Sequence, residues 1–296
     1  MLDLVVADDF WSQLFNFENY GELLALVKNS ILAGALLGVV GGLIGVFVMT
    51  RDLPFAVHGI SELSFAGASA ALLFGANVVL GSTIGSIVAA LLIGILGVRA
   101  RERNSIVAVL MPFGLGLGIL FLALYTGRSA NKFGLLTGQI VSVDNEQLEL
   151  LVAISIVVII GLGIMWRPLS FASVDADVAR ARGLPVTAIS IAFMVLLGLA
   201  VAVSIQVVGA LLVLSLLVTP AAAAMRVTAS PFLTPLLSVI FAVVSIVGGI
   251  LLALGGGLPI SPFVTTISFL IYVVCRTIGS RGRQASGTSP RVRIAA

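Results

Sequence analysis

The chain has 296 residues, of which 59% are hydrophobic and only 10% are charged, and its formal net charge is +3. About a quarter of the residues of a soluble domain are charged, so this composition excludes a soluble protein and indicates an all-α, polytopic membrane protein. The positive charges stand in short loops between apolar runs, which excludes a basic surface for nucleic acid. With one cysteine, Cys275, the chain can form neither an intrachain disulfide nor a cysteine-based metal site.

The first 28 residues do not have the pattern of a cleaved signal peptide. Three acids, Asp3, Asp8 and Asp9, precede the first aromatic residues, whereas a signal peptide begins with a basic region. Aromatic residues mixed with acids suit the membrane interface. We therefore expect residues 1–28 to form an extracytoplasmic, interfacial segment.

Apolar runs of about twenty residues, the length that crosses a bilayer, follow one another along residues 29–279 and predict a transmembrane domain of eight to nine helices. The nine candidate spans are 29–50, 57–77, 79–98, 105–126, 147–166, 186–205, 207–225, 233–254 and 262–279. Only Ser204, Ile205 and Gln206 separate the sixth from the seventh. Either both of these segments cross the membrane or one of them is re-entrant.

The charges of the loops predict the orientation of the chain. When the N-terminus is placed outside, most of the 16 lysine and arginine residues fall on the inner side, and only Lys28, Arg128 and Lys132 fall outside. Cytoplasmic loops carry this excess of positive charge. The sequence therefore predicts a multi-pass protein of the plasma or inner membrane, with an outside N-terminus, a cytoplasmic C-terminus and an odd number of crossings. The basic, Gly/Ser-rich tail at 280–296 is expected to be disordered.

Glycines recur at every fourth position of two spans, as Gly34, Gly38 and Gly42 in the first and as Gly114 and Gly118 in the fourth. Such rows let membrane helices approach closely, so they predict tight helix packing. No glycine-rich stretch is followed by the Lys-Ser/Thr pair of a phosphate-binding loop. We therefore expect that the chain is not an enzyme and that any ATP hydrolysis takes place in another subunit.

The only histidine, His58, and the carboxylate of Glu62 are four residues apart within the second apolar run. On a helix the two side chains would lie on one face, one turn apart. Ionisable groups at membrane depth are costly and usually line a pathway. The pair can bind a divalent cation, relay a proton, or hydrogen-bond internally and fix the helix packing, and the residues alone leave these alternatives open.

Residues 170–185 form a polar loop on the predicted inner side. Ser173 or Asp175 can cap a short helix there, and Gly183 would help to end it. Such a helix is either a docking element for a partner protein or an element that lies on lipid headgroups, anchored by its arginines.

Five stretches of the chain match a known pattern in the same order. They are Gly45–Arg51, Phe55–Gly67, Leu135–Ile140, Asp175–Val186 and Val208–Ala224. Together they resemble the permease subunits of ABC-type importers of divalent metal ions, which take up zinc, manganese or iron. The stretches are spread over nearly the entire chain, and their order and spacing make the resemblance specific.

The resemblance implies an ABC importer permease that holds no permanent cofactor and whose cargo is a divalent metal ion. It implies a homodimer of permeases in the lipid bilayer, ATP-binding cassette subunits on the inner side and an extracytoplasmic metal-binding protein. The coupling loop of that family, Phe-Asp-x-x-x-Ala-x-x-x-Gly, is matched by Asp175, Ala179 and Gly183, with Asp177 among them. These four residues are thereby expected to couple the permease to the ATPase.

The second span differs from the family in the order of its ligands. The family commonly has Gly-Asp-Ala-x-Ser-His-x-x-x-Pro-Gly, whereas His58 takes the Asp position here and Glu62 takes the His position. One imidazole and one carboxylate are therefore kept, and the resemblance implies that they bind the transported metal. Imidazole with carboxylate suits zinc and admits manganese or iron. Ser61 and Ser64 either orient these ligands or hydrogen-bond carbonyls of their own helix.

Two other functions compete with metal import by an ATP-driven permease. The first is a secondary transporter or channel in which His58 and Glu62 relay protons. The second is an ABC permease for a larger ligand such as a metal chelate. Metal-stimulated ATP hydrolysis would discriminate against the first, and uptake of the free ion against the second.

Overall fold

The computed structural model describes residues 21, 24, 26–97, 100–127, 135, 143–210, 212–254 and 260–285. Within these ranges the regular structure is α-helical throughout, as predicted. The helices are α1 (Lys28–Thr50), α2 (Pro54–Leu73), α3 (Val78–Leu96), α4 (Ala100–Leu124), α5 (Asn145–Val174), α6 (Ala176–Ala181), α7 (Val186–Val208), α8 (Val213–Val227), α9 (Leu233–Leu254) and α10 (Ile260–Ala285).

Eight of the described helices are long and apolar enough to cross a membrane, namely all except the 6-residue α6 and the 15-residue α8. The predicted seventh span, 207–225, corresponds to the short α8. The prediction of eight to nine transmembrane helices is confirmed, and the protein is a multi-pass membrane protein.

The break between the sixth and seventh predicted spans lies further along the chain than the sequence suggested. Helix α7 continues through Ser204 and Gln206 to Val208, and the chain turns at Gly209, which has φ 83°. The prediction of a break at 204–206 was wrong because both polar side chains find partners. The Ser204 hydroxyl donates to a carbonyl one turn earlier, and the Gln206 amide donates to the hydroxyl of Ser82.

The helices differ in how much of their surface the protein covers. Helices α1, α2 and α7 are the most buried spans, whereas α4, α5 and α10 are the least buried. On α5, the exposed side chains of Ile156, Ile160 and Ile164 follow one face of the helix, which is the pattern of a surface that contacts lipid. Because α2 is one of the most buried helices, the polar pair of the second span lies on a central helix.

The first glycine row is tightly packed, as predicted, and its partner helix in the structure is α9. A Cβ atom at Gly42 would lie 2.6 Å from the backbone of Val239, and one at Gly38 would lie 2.8 Å from the backbone of Val243. No real Cβ atom fits at such distances, so the two helix backbones are in direct contact. Close approach of this kind supplies van der Waals packing where lipid removes the hydrophobic driving force.

The two terminal segments lie largely outside the described residues. The interfacial segment predicted at 1–28 is described only at residues 21, 24 and 26–28, so its role stays a prediction. Helix α10 continues to Ala285, so the first residues of the tail predicted at 280–296 are helical. The rest of the tail, residues 286–296, lies outside the described residues, so the disorder predicted there stays a prediction.

Candidate functional site

A tight turn, Arg51–Leu53, joins α1 to α2 and sets the start of the candidate helix. Asp52 has φ 52°, a conformation that aspartate adopts more readily than most residues. The N–H of Leu53 donates back into the last turn of α1, and Pro54 opens α2, where a missing N–H costs nothing. The turn therefore fixes the position of His58, one turn into α2.

The structure brings His58 and Glu62 together on α2. The imidazole Nε2 lies 3.6 Å from the carboxylate Oε1, which is too long for a hydrogen bond. Two ligands that share a tetrahedral ion through bonds of about 2.0–2.2 Å are themselves about 3.3–3.6 Å apart. The observed distance therefore suits a shared ion better than a direct bond between the two side chains.

The two side chains differ in exposure. The side chain of His58 is 32% exposed, whereas that of Glu62 is 7% exposed. The imidazole is therefore the open end of the pair, and the carboxylate is the buried end. Glu62 also lies one turn further into α2 than His58, counted from the α1–α2 turn, so the carboxylate is the deeper of the two side chains.

Helix α4 holds the turn of α2 that carries the carboxylate. A Cβ atom at Gly114 would lie 2.9 Å from the carbonyl carbon of Glu62, and one at Gly59 would lie 3.1 Å from Cγ1 of Val107. The helices thus meet through glycine on both sides of the contact. The predicted close packing at Gly114 is confirmed, and it leaves the backbone at Glu62 no room to shift toward α4.

The hydroxyls of Ser61 and Ser64 are engaged elsewhere in the bundle. Ser61 Oγ donates to the carbonyl of Ala210 at 3.0 Å, and Ser64 Oγ donates to the carbonyl of Ser82 at 2.9 Å. Both serines therefore tie α2 to neighbouring segments rather than to carbonyls of their own helix. A role of these serines in orienting the ligand pair stays a prediction.

The described part of the chain places no third ligand beside the pair. Among the described residues, no group of three or more His, Cys, Asp or Glu side chains is close enough to hold a metal ion. Two ligands are too few for a tight structural site, which in the case of zinc has four. The arrangement can hold an ion briefly, or it can form half of a larger site.

The predicted short helix on the inner loop is confirmed as α6. The Asp175 side chain caps it by accepting from the N–H groups of Asp177 and Val178, at 3.0 and 2.9 Å. Ala179 is fully buried against the body of the protein. Gly183 ends the turn with φ 82°. Capping by Asp175 rather than Ser173 resolves the two predicted alternatives.

Two cavities lie near the 170–185 segment. An apolar cavity of about 440 Å³ includes Phe47, Trp166 and Val174 among its lining residues. A smaller one, of about 240 Å³, lies beside α6. We call the smaller cavity the basic pocket, because Arg51, Arg103 and Arg180 are among its lining residues.

The basic pocket could not be found from the sequence. Its arginines come from three separate loops and helix ends, and from the sequence they were interpreted only as markers of orientation and, for Arg180, as an anchor to lipid headgroups. Their one shared signal is that each falls on the predicted inner side. The structure brings the three together at one end of the bundle, beside α6.

Comparison with known proteins shows the family to which the chain belongs and two proteins that it resembles in sequence. A family model described as "ABC 3 transport family" matches residues 24–278. The chain is 28% identical over 242 residues to the manganese transport system membrane protein MntC of Halalkalibacterium halodurans, covering 81% of this chain and 80% of that protein. It is 26% identical over 249 residues to the high-affinity zinc uptake system membrane protein ZnuB of Buchnera aphidicola, covering 82% of this chain and 94% of the relative.

Two solved structures share the fold. The structure titled "PsaBC from Streptococcus pneumoniae in complex with Fab" matches with a TM-score of 0.81 and 22% identity, covering 91% of this chain and 99% of the matched one. An inward-facing conformation of a putative metal-chelate type ABC transporter matches with a TM-score of 0.67 and 19% identity, over 85% of each chain. The chain therefore shares its fold with both of these structures.

Proposed function

Since the chain belongs to the ABC 3 transport family, we propose that it is the membrane-spanning permease subunit of an ATP-driven importer of divalent metal ions. The observation that carries this proposal is the His58–Glu62 pair, with its 3.6 Å separation, on a central membrane helix. Relatives named for manganese and zinc transport support Mn²⁺ or Zn²⁺ as the cargo. An imidazole with a carboxylate accepts either ion and also admits Fe²⁺.

The pair is a transient binding site for the ion on its way through the membrane. Two protein ligands bind weakly enough for the ion to leave, which conduction requires as much as entry. In a homodimer, two copies of His58 and Glu62 facing each other across the symmetry axis would supply four ligands, the number that zinc prefers. The imidazole of His58 and the carboxylate of Glu62 bind the ion together, and the buried carboxylate stabilises its charge within the bundle.

The ATP-hydrolysing partner docks on α6. The exposed residues Asp177 and Arg180 present polar groups on its outer surface, while the buried Ala179 fixes the helix to the permease body. The Asp175 cap and the turn at Gly183 make the helix a rigid projection. This exposed polar surface favours a protein partner over the alternative in which α6 lies on lipid headgroups.

The orientation is N-terminus outside and C-terminus in the cytoplasm. Support comes from the grouping of Arg51, Arg103 and Arg180 at the end of the bundle that also carries α6. An extracytoplasmic metal-binding protein would then deliver the ion at the opposite end. The short α8, if it crosses, makes the number of spans odd as this orientation requires.

The rival functions fit less well. Membership of the ABC 3 transport family argues against a gradient-driven transporter that uses His58 and Glu62 as a proton relay. The likeness to a putative metal-chelate transporter is the weaker of the two structural matches. A wide chelate pathway also has no need of one buried imidazole–carboxylate pair.

Transport by the reconstituted complex tests the proposal. The chain is co-purified with its ATPase subunit, placed in proteoliposomes and supplied with the metal-loaded binding protein, and uptake of Mn²⁺ and Zn²⁺ is measured with and without ATP. We expect uptake only with ATP, unchanged when an ionophore collapses the proton gradient. Uptake that follows the proton gradient and ignores ATP would overturn the proposal.

A further inference from the structure

In the basic pocket beside α6, Arg51 and Arg103 have no ion-pair partner among the side chains that the structure describes. Arg51, at the α1–α2 turn, and Arg103, in the first turns of α4, are both half-buried there. Thr187 and Ser190 of α7 supply hydroxyls to its wall. The pocket thus gathers cationic and neutral donors in a space of about 240 Å³.

The hydrogen bonds of the two guanidinium groups go to neutral acceptors. Arg51 donates from Nη1 to the Ser173 hydroxyl at 3.3 Å and from Nη2 to the Ser190 hydroxyl. Arg103 donates from Nη2 to the backbone carbonyl of Arg51 at 3.3 Å. Among the described side chains, which do not include that of Glu102, no carboxylate lies within 4 Å of either group; Asp52 attracts Arg103 from a greater distance and is itself exposed.

The two guanidinium groups also repel each other. Burial, and then the positive charge of Arg103, lower the pKa of Arg51 from its ordinary value. An arginine nevertheless remains charged at neutral pH. Half-buried like charges without an anion are costly, and the planar guanidinium suits bidentate binding of a carboxylate or phosphate. The pocket is therefore complementary to an anionic oxygen group.

The position of the pocket indicates where that group comes from. Ala176 and Arg180 of α6 form one of its walls, and a protein that docks on α6 covers the pocket as well. Resting on the proposed docking of the ATPase at α6, we propose that the basic pocket receives an Asp or Glu side chain of the ATP-hydrolysing subunit. A lipid phosphate is the competing occupant.

Such a contact would join the docking surface to the helix of the metal pair. Arg51 bonds Ser173, which lies just before α6, and Ser190, which lies on α7. Arg51 also belongs to the turn from which α2 and His58 begin. An acid bound in the pocket therefore contacts, through one guanidinium, the three segments that meet there.

Carbodiimide cross-linking tests this proposal. The reagent joins a lysine amine to a carboxylate in direct contact, whereas arginine does not react. The chain has only two lysines, Lys28 and Lys132, both on the predicted outer side, so a lysine introduced in the pocket is the one inner-side lysine. The variants are Arg51→Lys and Arg103→Lys, and Arg226→Lys is the control, because Arg226 lies beside Tyr272 and outside the pocket.

The assembled complex with its ATPase is the sample, and mass spectrometry maps the products. We expect Arg51→Lys or Arg103→Lys to yield an amide with an Asp or Glu peptide of the ATPase, and Arg226→Lys to yield none. No adduct from either pocket variant in an intact complex, which is the result expected if a lipid phosphate filled the pocket, would overturn the proposal. Failure of the wild-type chain to co-purify with any ATPase would contradict the proposed function itself, which keeps the two failures distinct.

A binding measurement supplies a second, independent readout. Charge reversal of a buried, hydrogen-bonded ion-pair partner costs about 2 kcal/mol or more, so Arg103→Glu should weaken ATPase binding by about 30-fold or more. Arg226→Glu should change the affinity by less than about threefold, as expected away from the contact. Equal affinities for Arg103→Glu and the wild type would overturn the proposal.

Discussion

His58 and Glu62 are arranged so that the imidazole Nε2 lies 3.6 Å from the carboxylate Oε1, with the imidazole at the open end and the carboxylate buried. This distance leaves the lone pairs of both side chains free for a third atom between them. A pair that served only helix packing would be expected to close to a hydrogen bond. The geometry therefore favours an ion as the partner of both side chains.

The order of the two ligands can be exchanged without loss of the pair. In the double variant His58→Asp/Glu62→His, one imidazole and one carboxylate remain one turn apart on α2. We expect ATP-dependent uptake to persist, with a changed preference among Zn²⁺, Mn²⁺ and Fe²⁺, because the imidazole moves to the buried end. Uptake assays with the three ions check this. A folded, assembled double variant without any uptake would show that transport depends on which ligand occupies each of the two positions, and not only on the types of ligand present.

The contact of α4 with α2 predicts different effects of substitution at two nearby glycines. A Cβ atom at Gly114 would collide with the backbone of Glu62, whereas one at Gly116 would meet no atom within 4 Å. Gly114→Ala should destabilise the protein by about 1–3 kcal/mol through overpacking. Gly116→Ala should be neutral or stabilise by up to about 1 kcal/mol. Thermal unfolding in detergent compares the two, and equal melting temperatures would be inconsistent with this packing.

The turn after α6 depends on backbone conformation alone. Gly183 has φ 82°, and a Cβ atom there would meet nothing within 4 Å, so any cost of substitution is conformational. Gly183→Ala should cost the local turn about 1–2 kcal/mol. Gly183→Asn should cost less, because asparagine tolerates this region. Hydrogen exchange at Leu184, whose N–H donates to Ala179, reports the loss; faster exchange in the Asn variant than in the Ala variant would refute the explanation.

The outer surface of α6 predicts a docking effect without a folding effect. The Asp177–Arg180 ion pair is 2.8 Å long but its side chains are 92% and 63% exposed, so it contributes little to stability. Asp177→Lys should leave the melting temperature unchanged and weaken ATPase binding by about 3–10-fold, as charge reversal at an interface rim does. The affinity of the ATPase for surface-immobilised permease checks this, and an unchanged affinity would count against docking at this surface.

Local pattern predicted much of the architecture. The bounds of α9 agree with the predicted span 233–254. The cap and the terminating glycine of α6 could be predicted because each interacts only with residues close to it in the sequence. Gly209 escaped prediction because a glycine in an apolar run also suits helix packing. The partners of Ser61 and Ser64, and the meeting of Arg51 with Arg103, depend on contacts between distant segments that no local pattern contains.

The most direct test of the account is ATP-dependent metal uptake by proteoliposomes that contain the complex with His58→Ala, Glu62→Ala or Glu62→Gln permease. The glutamine variant keeps the shape of the side chain and removes its charge, so it separates ion binding from packing. The account predicts that all three variants insert, assemble with the ATPase and fail to transport Mn²⁺ or Zn²⁺. Uptake at the wild-type rate by the assembled His58→Ala and Glu62→Gln variants would contradict it.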